Sequence, residues 1–174
     1  RRSVPGSRGR GAPLTGLADA AIEDLRGPKG GSLADTPGGD AEDLTADGKG
    51  GIVVAFESRP RLWVYPADGG PPVLLPSPPG LERAPRNAGI ETLTRLRDGR
   101  LLALTEGLEI RIGEDNGNVG WVEEGAGTGR WQSLTWRTGQ GFVPTGAAVL
   151  PDRGDVLVLE RRILPPAARI RLVP

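Results

Sequence analysis

The chain contains no cysteine, no histidine and no methionine. Without Cys there is no disulfide framework, and the redox compartment is left open. Without Cys and His, thiolate or imidazole zinc sites, Ser-His-Asp triads and Cys-His nucleophiles cannot be built from this chain. Any chemistry must rest on carboxylates, amides, hydroxyls, Lys, Arg or the single Tyr65. A metal would be a hard cation held by oxygens, with Ca2+ first among the candidates. Net charge is missing too: 22 Lys plus Arg balance 22 Asp plus Glu. That leaves no basic face for nucleic acid, whose binding depends on counterion release. The exception is the start, where Arg1, Arg2, Arg8 and Arg10 precede the first acid, Asp19; it reads as a disordered or boundary segment. No apolar run approaches the roughly 20 residues of a membrane-spanning helix, and no signal-like segment is visible.

Helical periodicity is scarce. The stretch LTGLADAAIEDL (14–25) puts Leu14, Leu17, Ala18, Ala21, Ile22 and Leu25 on one helical face, with a short strand as the alternative. From residue 40 the pattern changes to short apolar runs separated by tight turns. AEDLTA, IVVAF, LWVYP and PVLLP form one four-stranded meander, joined by DGKGG and ADGG. A second copy runs through GIETLTRL, RLLALTE, LEIRI and RWQSLTW, and a third through FVPTGAAVL, DVLVLE and ARIRLV. A Glu closes the second strand of each copy, at 57, 106 and 160, so the copies lie 49 and 54 residues apart. Such periods mark β-propeller blades or solenoid units. Strands such as IVVAF and LLALT are apolar on both faces, as blades packed between neighbours require. The expected fold is all-β: a propeller of four-stranded antiparallel blades. An N-terminal segment (1–39) is followed by blades at about 40–86, 87–140 and 141–174. A β-sandwich is the alternative. Three blades do not close a ring, since propellers use about four to eight. The expectation is therefore part of a longer protein, or a ring assembled by two chains.

The acidic residues carry the functional question. An Asp98-Gly99 two-residue turn would set Glu91 directly opposite Glu106, and a Lys49-Gly50 turn would do the same for Glu42 and Glu57. An Asp152-Arg153 turn would set Thr145 opposite Glu160. Opposed side chains lie about 5 Å apart, where two carboxylates repel by about 3 kcal/mol at an effective dielectric near 20. Three remedies stay open: a shared proton, a bound cation, or an Arg fork from Arg59, Arg61, Arg161 or Arg162. Carboxylates could equally accept N–H groups of the adjacent blade and so fasten blades together. If every hairpin carries its Glu to the same end, the carboxylates gather at one mouth of the channel. There they could hold Ca2+ and, through it, a phosphate. GEDNGN (113–118) reads as a polar turn rather than a Ca2+ loop, because it lacks the full ligand spacing. Trp63, Trp121, Trp131 and Trp136 read as blade packing, with Trp121 as an alternative ligand-site lining.

The order DAEDL…FE, N-x-G-I-E-x-L…DGRLLALTE, F-x-P-T-G…LP…GDVLVLERR…ARI resembles the bacterial phytase-like (esterase-like activity of phytase) propeller family. The likeness runs from about Gly39 to Val173 and rests on Asp40, Glu42, Phe56, Glu57, Asn87, Gly89, Glu91, Asp98, Gly99, Glu106, Pro144, Glu160 and Arg161. It implies a secreted or periplasmic propeller of about twice this length that hydrolyses a small phosphoester or ester. Glu91 and Glu106 are then the candidate catalytic groups. Glu42, Glu57, Glu91, Glu106, Glu160 and Asn87 are the candidate metal ligands. The alternative is a non-catalytic propeller in which the repeated Glu residues clamp blades together and the open face binds a partner.

Overall fold

A computed structural model describes residues 16, 20–113, 115–139, 141–164 and 167–174. Eleven strands form three antiparallel sheets. The first contains β1 (Ala41–Ala46), β2 (Ile52–Phe56), β3 (Arg61–Tyr65) and β4 (Val73–Leu75) in sequential order. The second contains β5 (Ile90–Arg95), β6 (Leu101–Ile112), β7 (Asp115–Glu123) and β8 (Trp131–Thr138), and the third β9 (Val143–Val149), β10 (Val156–Leu164) and β11 (Ala167–Val173). First strands neighbour one another, β1 beside β5 and β5 beside β9. The sheets are thus three blades of a propeller, forming an open arc, and the sandwich alternative is excluded. Among the described residues there is no α-helix, only a 3-10 turn at Leu81–Arg83, and no helix is long and apolar enough to cross a membrane. The expectation for residues 14–25 falls partly outside the described residues; residues 20–25 carry no regular structure. The Arg-rich start lies outside them entirely.

The first two blades bury both faces of their second strand, which is why those strands read as unbroken apolar runs. Val53, Ala55 and Leu62 of the first blade pack on Leu93, Leu101, Ala103, Trp121 and Trp131 of the second. On the far side of β6, Leu102 and Leu104 pack on Val158 of the third blade, with Ala147 and Val156 beside it. Trp121 is completely buried and donates its indole N–H to Pro79 O at 3.1 Å; Trp131 donates to Pro76 O at 2.8 Å. Both indoles therefore hold the proline-rich connection between the first two blades, and Trp121 does not line a ligand site.

The register differs by one residue from the sequence expectation. In the second blade Arg95 pairs with Leu101 and the turn holds three residues, Arg97–Gly99, with Gly99 at φ 88°. A two-residue type I′ turn needs positive φ at both positions, and Asp98 does not adopt it. The first blade likewise turns through Gly48–Gly50, with Ala46 paired to Ile52; the third turns through Pro151–Gly154 and pairs Val149 with Val156, the register an Asp152-Arg153 turn would give, as far as its bulge. One residue of slip reverses which face a side chain takes, so Leu93 falls on the opposite face from Leu102 and Leu104. A β-bulge in each blade then shifts the pairing by one further residue: the extra residues are Glu42, Glu91 and Thr145.

The blades are also joined by hydrogen bonds between first strands. Leu93 N–H donates to Asp43 Oδ2 at 2.7 Å, and Arg95 N–H to Thr45 Oγ1 at 3.1 Å. Burial raises the Asp43 pKa against the pull of the Leu93 and Leu44 N–H groups. Asp43→Ala strands the Leu93 N–H and should cost about 1–3 kcal/mol, read as a lowered urea midpoint with an unchanged slope.

Candidate functional site

The bulges decide where the carboxylates go. Glu42 and Glu57 are not directly opposed, nor are Glu91 and Glu106, because a bulged residue has no partner across the ladder. Glu57 N–H instead donates to Asp40 O at 2.9 Å, and Glu106 N–H to Gly89 O at 3.2 Å. Each bulge re-aims its Glu at the junction between blades. The result is a tighter convergence than direct pairing would give. One oxygen each of Asp40, Glu42 and Glu57 lie within 4.8 Å of one another. Glu91 joins them from the second blade, close enough to feel Glu42, Glu106 and Glu57, while Glu57 shares hydrogen bonds with Asp40 and Glu91. Gly89 makes the approach possible: a Cβ there would lie 3.2 Å from Glu57 Cα. Its N–H also pulls the Glu57 pKa down, against the larger upward effect of burial.

The third blade departs from the repeat. Counting from the bulges, Arg161 stands where Glu57 and Glu106 stand, and Glu160 where Phe56 and Thr105 stand. Arg161 Nη2 lies 3.2 Å from both carboxylate oxygens of Glu106. An expected Arg thus meets a carboxylate of the group, through one nitrogen shared between its two oxygens. Arg61 is stacked over the Phe56 and Trp63 rings, 3.9 and 4.2 Å from their centroids, and donates to the carbonyls of Arg59 and Gly38.

Glu160 faces the other side of its sheet. It is completely buried, accepting the Trp136 indole N–H at 2.7 Å and Arg171 Nε at 2.5 Å. The expected rim of three Glu residues is therefore a rim of two, with Glu160 removed from it by the extra residue in the 151–154 turn. Thr145 is the bulge and does not oppose Glu160, which pairs with Pro144. Asn87 is exposed in the loop leading to β5.

The electrostatics follow from five carboxylates facing one guanidinium. Burial is the largest cause of each upward shift. Glu91 is pushed up to about 7 by burial and then by Glu42, Glu106 and Glu57, against the pull of Arg161. Glu42 is raised by burial, Glu57 and Asp40. Glu57 is raised by burial and Asp40, with the Gly89 N–H and Glu91 hydrogen bonds acting the other way. Without a cation, the group retains protons that ordinary carboxyls would have lost.

Sequence reasoning overlooked Asp40 as part of this group, although the DAED run contains it. It also missed Asn118, a buried amide that donates to Glu106 O at 2.5 Å and accepts from Thr138 Oγ1 at 3.4 Å. Asn118 lies in the GEDNGN stretch, which proves to be the tip and start of the β6–β7 ribbon, Ile112 pairing with Asp115. Its side chain fixes the Glu106 backbone where β6 leaves the ladder between Leu104 and Glu109. Glu123, also unremarked in the sequence, is buried and accepts the N–H groups of Leu101, Gly127 and Gly129.

Comparison with curated proteins finds no match. Among solved structures, the chain is similar to a protein of unknown function from Bacteroides caccae, a crystal structure at 1.35 Å resolution. The two are 18% identical with a TM-score of 0.32, over 76% of this chain and 60% of that one. Residues 7–174 match the model of the phytase-like family, esterase-like activity of phytase, and the chain belongs to that family.

Proposed function

We propose that the Asp40, Glu42, Glu57, Glu91, Glu106 and Arg161 group is a hydrolytic site for a small phosphoester or ester, assisted by a divalent cation. The observation that carries this reading is the convergence of carboxylates from two blades beside an Arg from a third, in a member of this family. The donor set fits a hard cation such as Ca2+: every candidate ligand is a carboxylate oxygen, and three lie close enough together to be shared. Asp40, Glu42 and Glu57 would hold it, and when bound it would supply Lewis-acid polarisation of the ester oxygen. Glu91 lies at the edge of that set. Its pKa of about 7 suits it to accept a proton from water near neutral pH and return one to the leaving oxygen. Arg161, already oriented by Glu106, offers a guanidinium to a phosphoryl group. The clamping role considered for the repeated Glu residues has support of its own: Glu160 accepts the Trp136 indole N–H of the second blade and Glu106 meets Arg161 of the third, beside the Asp43 and Thr45 contacts between first strands. The membership also supports a location outside the cytoplasm.

The test is release of p-nitrophenol from its phosphate and acetate esters by this chain, with Ca2+ and with a chelator. Turnover that requires Ca2+ is expected. No turnover of either ester with Ca2+, above a Glu91→Gln background, would sink the reading.

A pH effect on stability follows from Glu91. Below pH 4.5 the carboxyl is neutral in both folded and unfolded chains, whereas between about 4.5 and 7 only the unfolded chain ionises. A raised native pKa therefore means stability lost as pH rises through that window. The full shift would correspond to about 3 kcal/mol, which screening by water at this half-exposed group reduces to about 1–2 kcal/mol. Melting in a chelator should fall from pH 5 to pH 8, and Ca2+ should reverse the fall. A rise over that interval would contradict it.

A further inference from the structure

We propose that the cleft between the first two blades, at the end of their junction away from the carboxylate group, binds a small apolar monocarboxylate. Glu42 lies at the start of β1 and Glu57 just past the end of β2, whereas Asp47, Lys49 and Val53 lie at the other ends of these strands. There a cavity of about 300 Å3 opens, with a floor of Val53 and Val64 from the first blade and Leu101 from the second, beside Leu75. Apolar walls with a few placed polar groups are the ordinary build of a small-molecule site at this volume. A cavity of about 150 Å3 takes a benzene, so this one has room for a ring and its carboxylate.

The charges select the head group. Arg95 is fixed before any ligand arrives: its Nη1 donates to Asp47 O at 2.5 Å, and its guanidinium lies flush against two glycines. A Cβ on Gly48 would collide with Arg95 Cζ, and one on Gly99 would come within 2.8 Å of Nη2. Among the described residues neither Arg95 nor Lys49 has an acidic partner. The acids on the same wall are already spent. Glu123 accepts the Leu101, Gly127 and Gly129 N–H groups, and Asp47 Oδ1 accepts those of Lys49 and Gly51 at 2.7 and 2.8 Å. A positioned guanidinium without an acidic partner suits a carboxylate. A dianion such as phosphate would add a second negative charge to a wall that already holds Asp47 and Glu123. The apolar floor supplies the surface for a hydrocarbon body.

Benzoate is the probe, with a chelator present so that no cation draws it to the carboxylate group. Its titration into the full chain, followed by 1H–15N NMR, should saturate and move the Arg95 Nε–H and the Leu101 and Gly127 N–H signals. Benzamide, the neutral isostere, should bind about tenfold more weakly or worse, the worth of a charge-assisted hydrogen bond. Inorganic phosphate should leave these signals in place. Val64→Phe fills the floor without removing a hydrogen bond, and Arg95→Lys keeps the charge but loses the fork. Each should weaken benzoate by a similar factor, with the circular dichroism of the parent as the check on folding. No saturation by benzoate, or equal binding of benzamide or phosphate to the parent chain, would overturn the proposal. So would parental affinity for benzoate in both variants.

Discussion

Glu91→Gln should lower Ca2+-dependent ester hydrolysis by about 10²–10⁴-fold, the range for loss of a positioned acid–base group, while raising the melting temperature in a chelator at pH 8. The two effects have opposite signs for one reason. Glu91 is the member of the group whose proton affinity is furthest displaced, by burial and by Glu42, Glu106 and Glu57. A neutral amide removes that repulsion and leaves the fold better satisfied, but it cannot carry a proton. A purely structural Glu would behave differently, since its amide would lower stability and leave any turnover intact. Steady-state rates and thermal melts on one preparation distinguish the outcomes. Unchanged turnover, or a lowered melting temperature, would remove Glu91 from the chemistry.

Glu160→Ala should destabilise the chain by about 1–3 kcal/mol, the cost of stranding a hydrogen-bond donor at a buried junction. Glu160 has no exposed surface, and it ties the Trp136 indole of the second blade to Arg171 of the third. Removing it leaves the Trp136 indole N–H without its acceptor beside an apolar junction built on Leu102, Leu104 and Val158, while the Arg171 side chain, 41% exposed, reaches water. For a chain of this size the loss corresponds to roughly 5 °C in melting temperature. Ca2+ affinity per folded molecule should be unaltered, because Glu160 faces away from the carboxylate group. A loss under about 1 kcal/mol, or weakened Ca2+ binding with the fold intact, would contradict the assignment.

Glu160 also shows what the sequence could and could not disclose. The blades were legible because IVVAF and LLALT each bury two faces, DVLVLE repeats their pattern, and DGKGG and RDGR mark the turns. The register was not, because an Asp-Gly pair serves both a two-residue I′ turn and a three-residue turn ending in left-handed Gly. Gly99 adopts the second. The bulges at Glu42 and Glu91 add a second residue of slip, and no local residue type announces them. In the third copy the longer 151–154 turn moved the Glu one place, and Arg161 took the rim position. Textual alignment of the three Glu residues therefore matched letters that the backbone does not superpose. Most of the site was nonetheless legible. Glu42, Glu57, Glu91 and Glu106 do converge, whereas Asp40 and Asn118 depend on backbone geometry that spacing alone does not encode.

The account rests on like charges meeting across a blade junction, and the titration of Glu91 reads that directly. Carboxyl 13C shifts followed by NMR in a chelator should place its midpoint near 7, moving down in Glu42→Gln and on addition of Ca2+. A midpoint near the ordinary value of 4.5, indifferent to both changes, would contradict it.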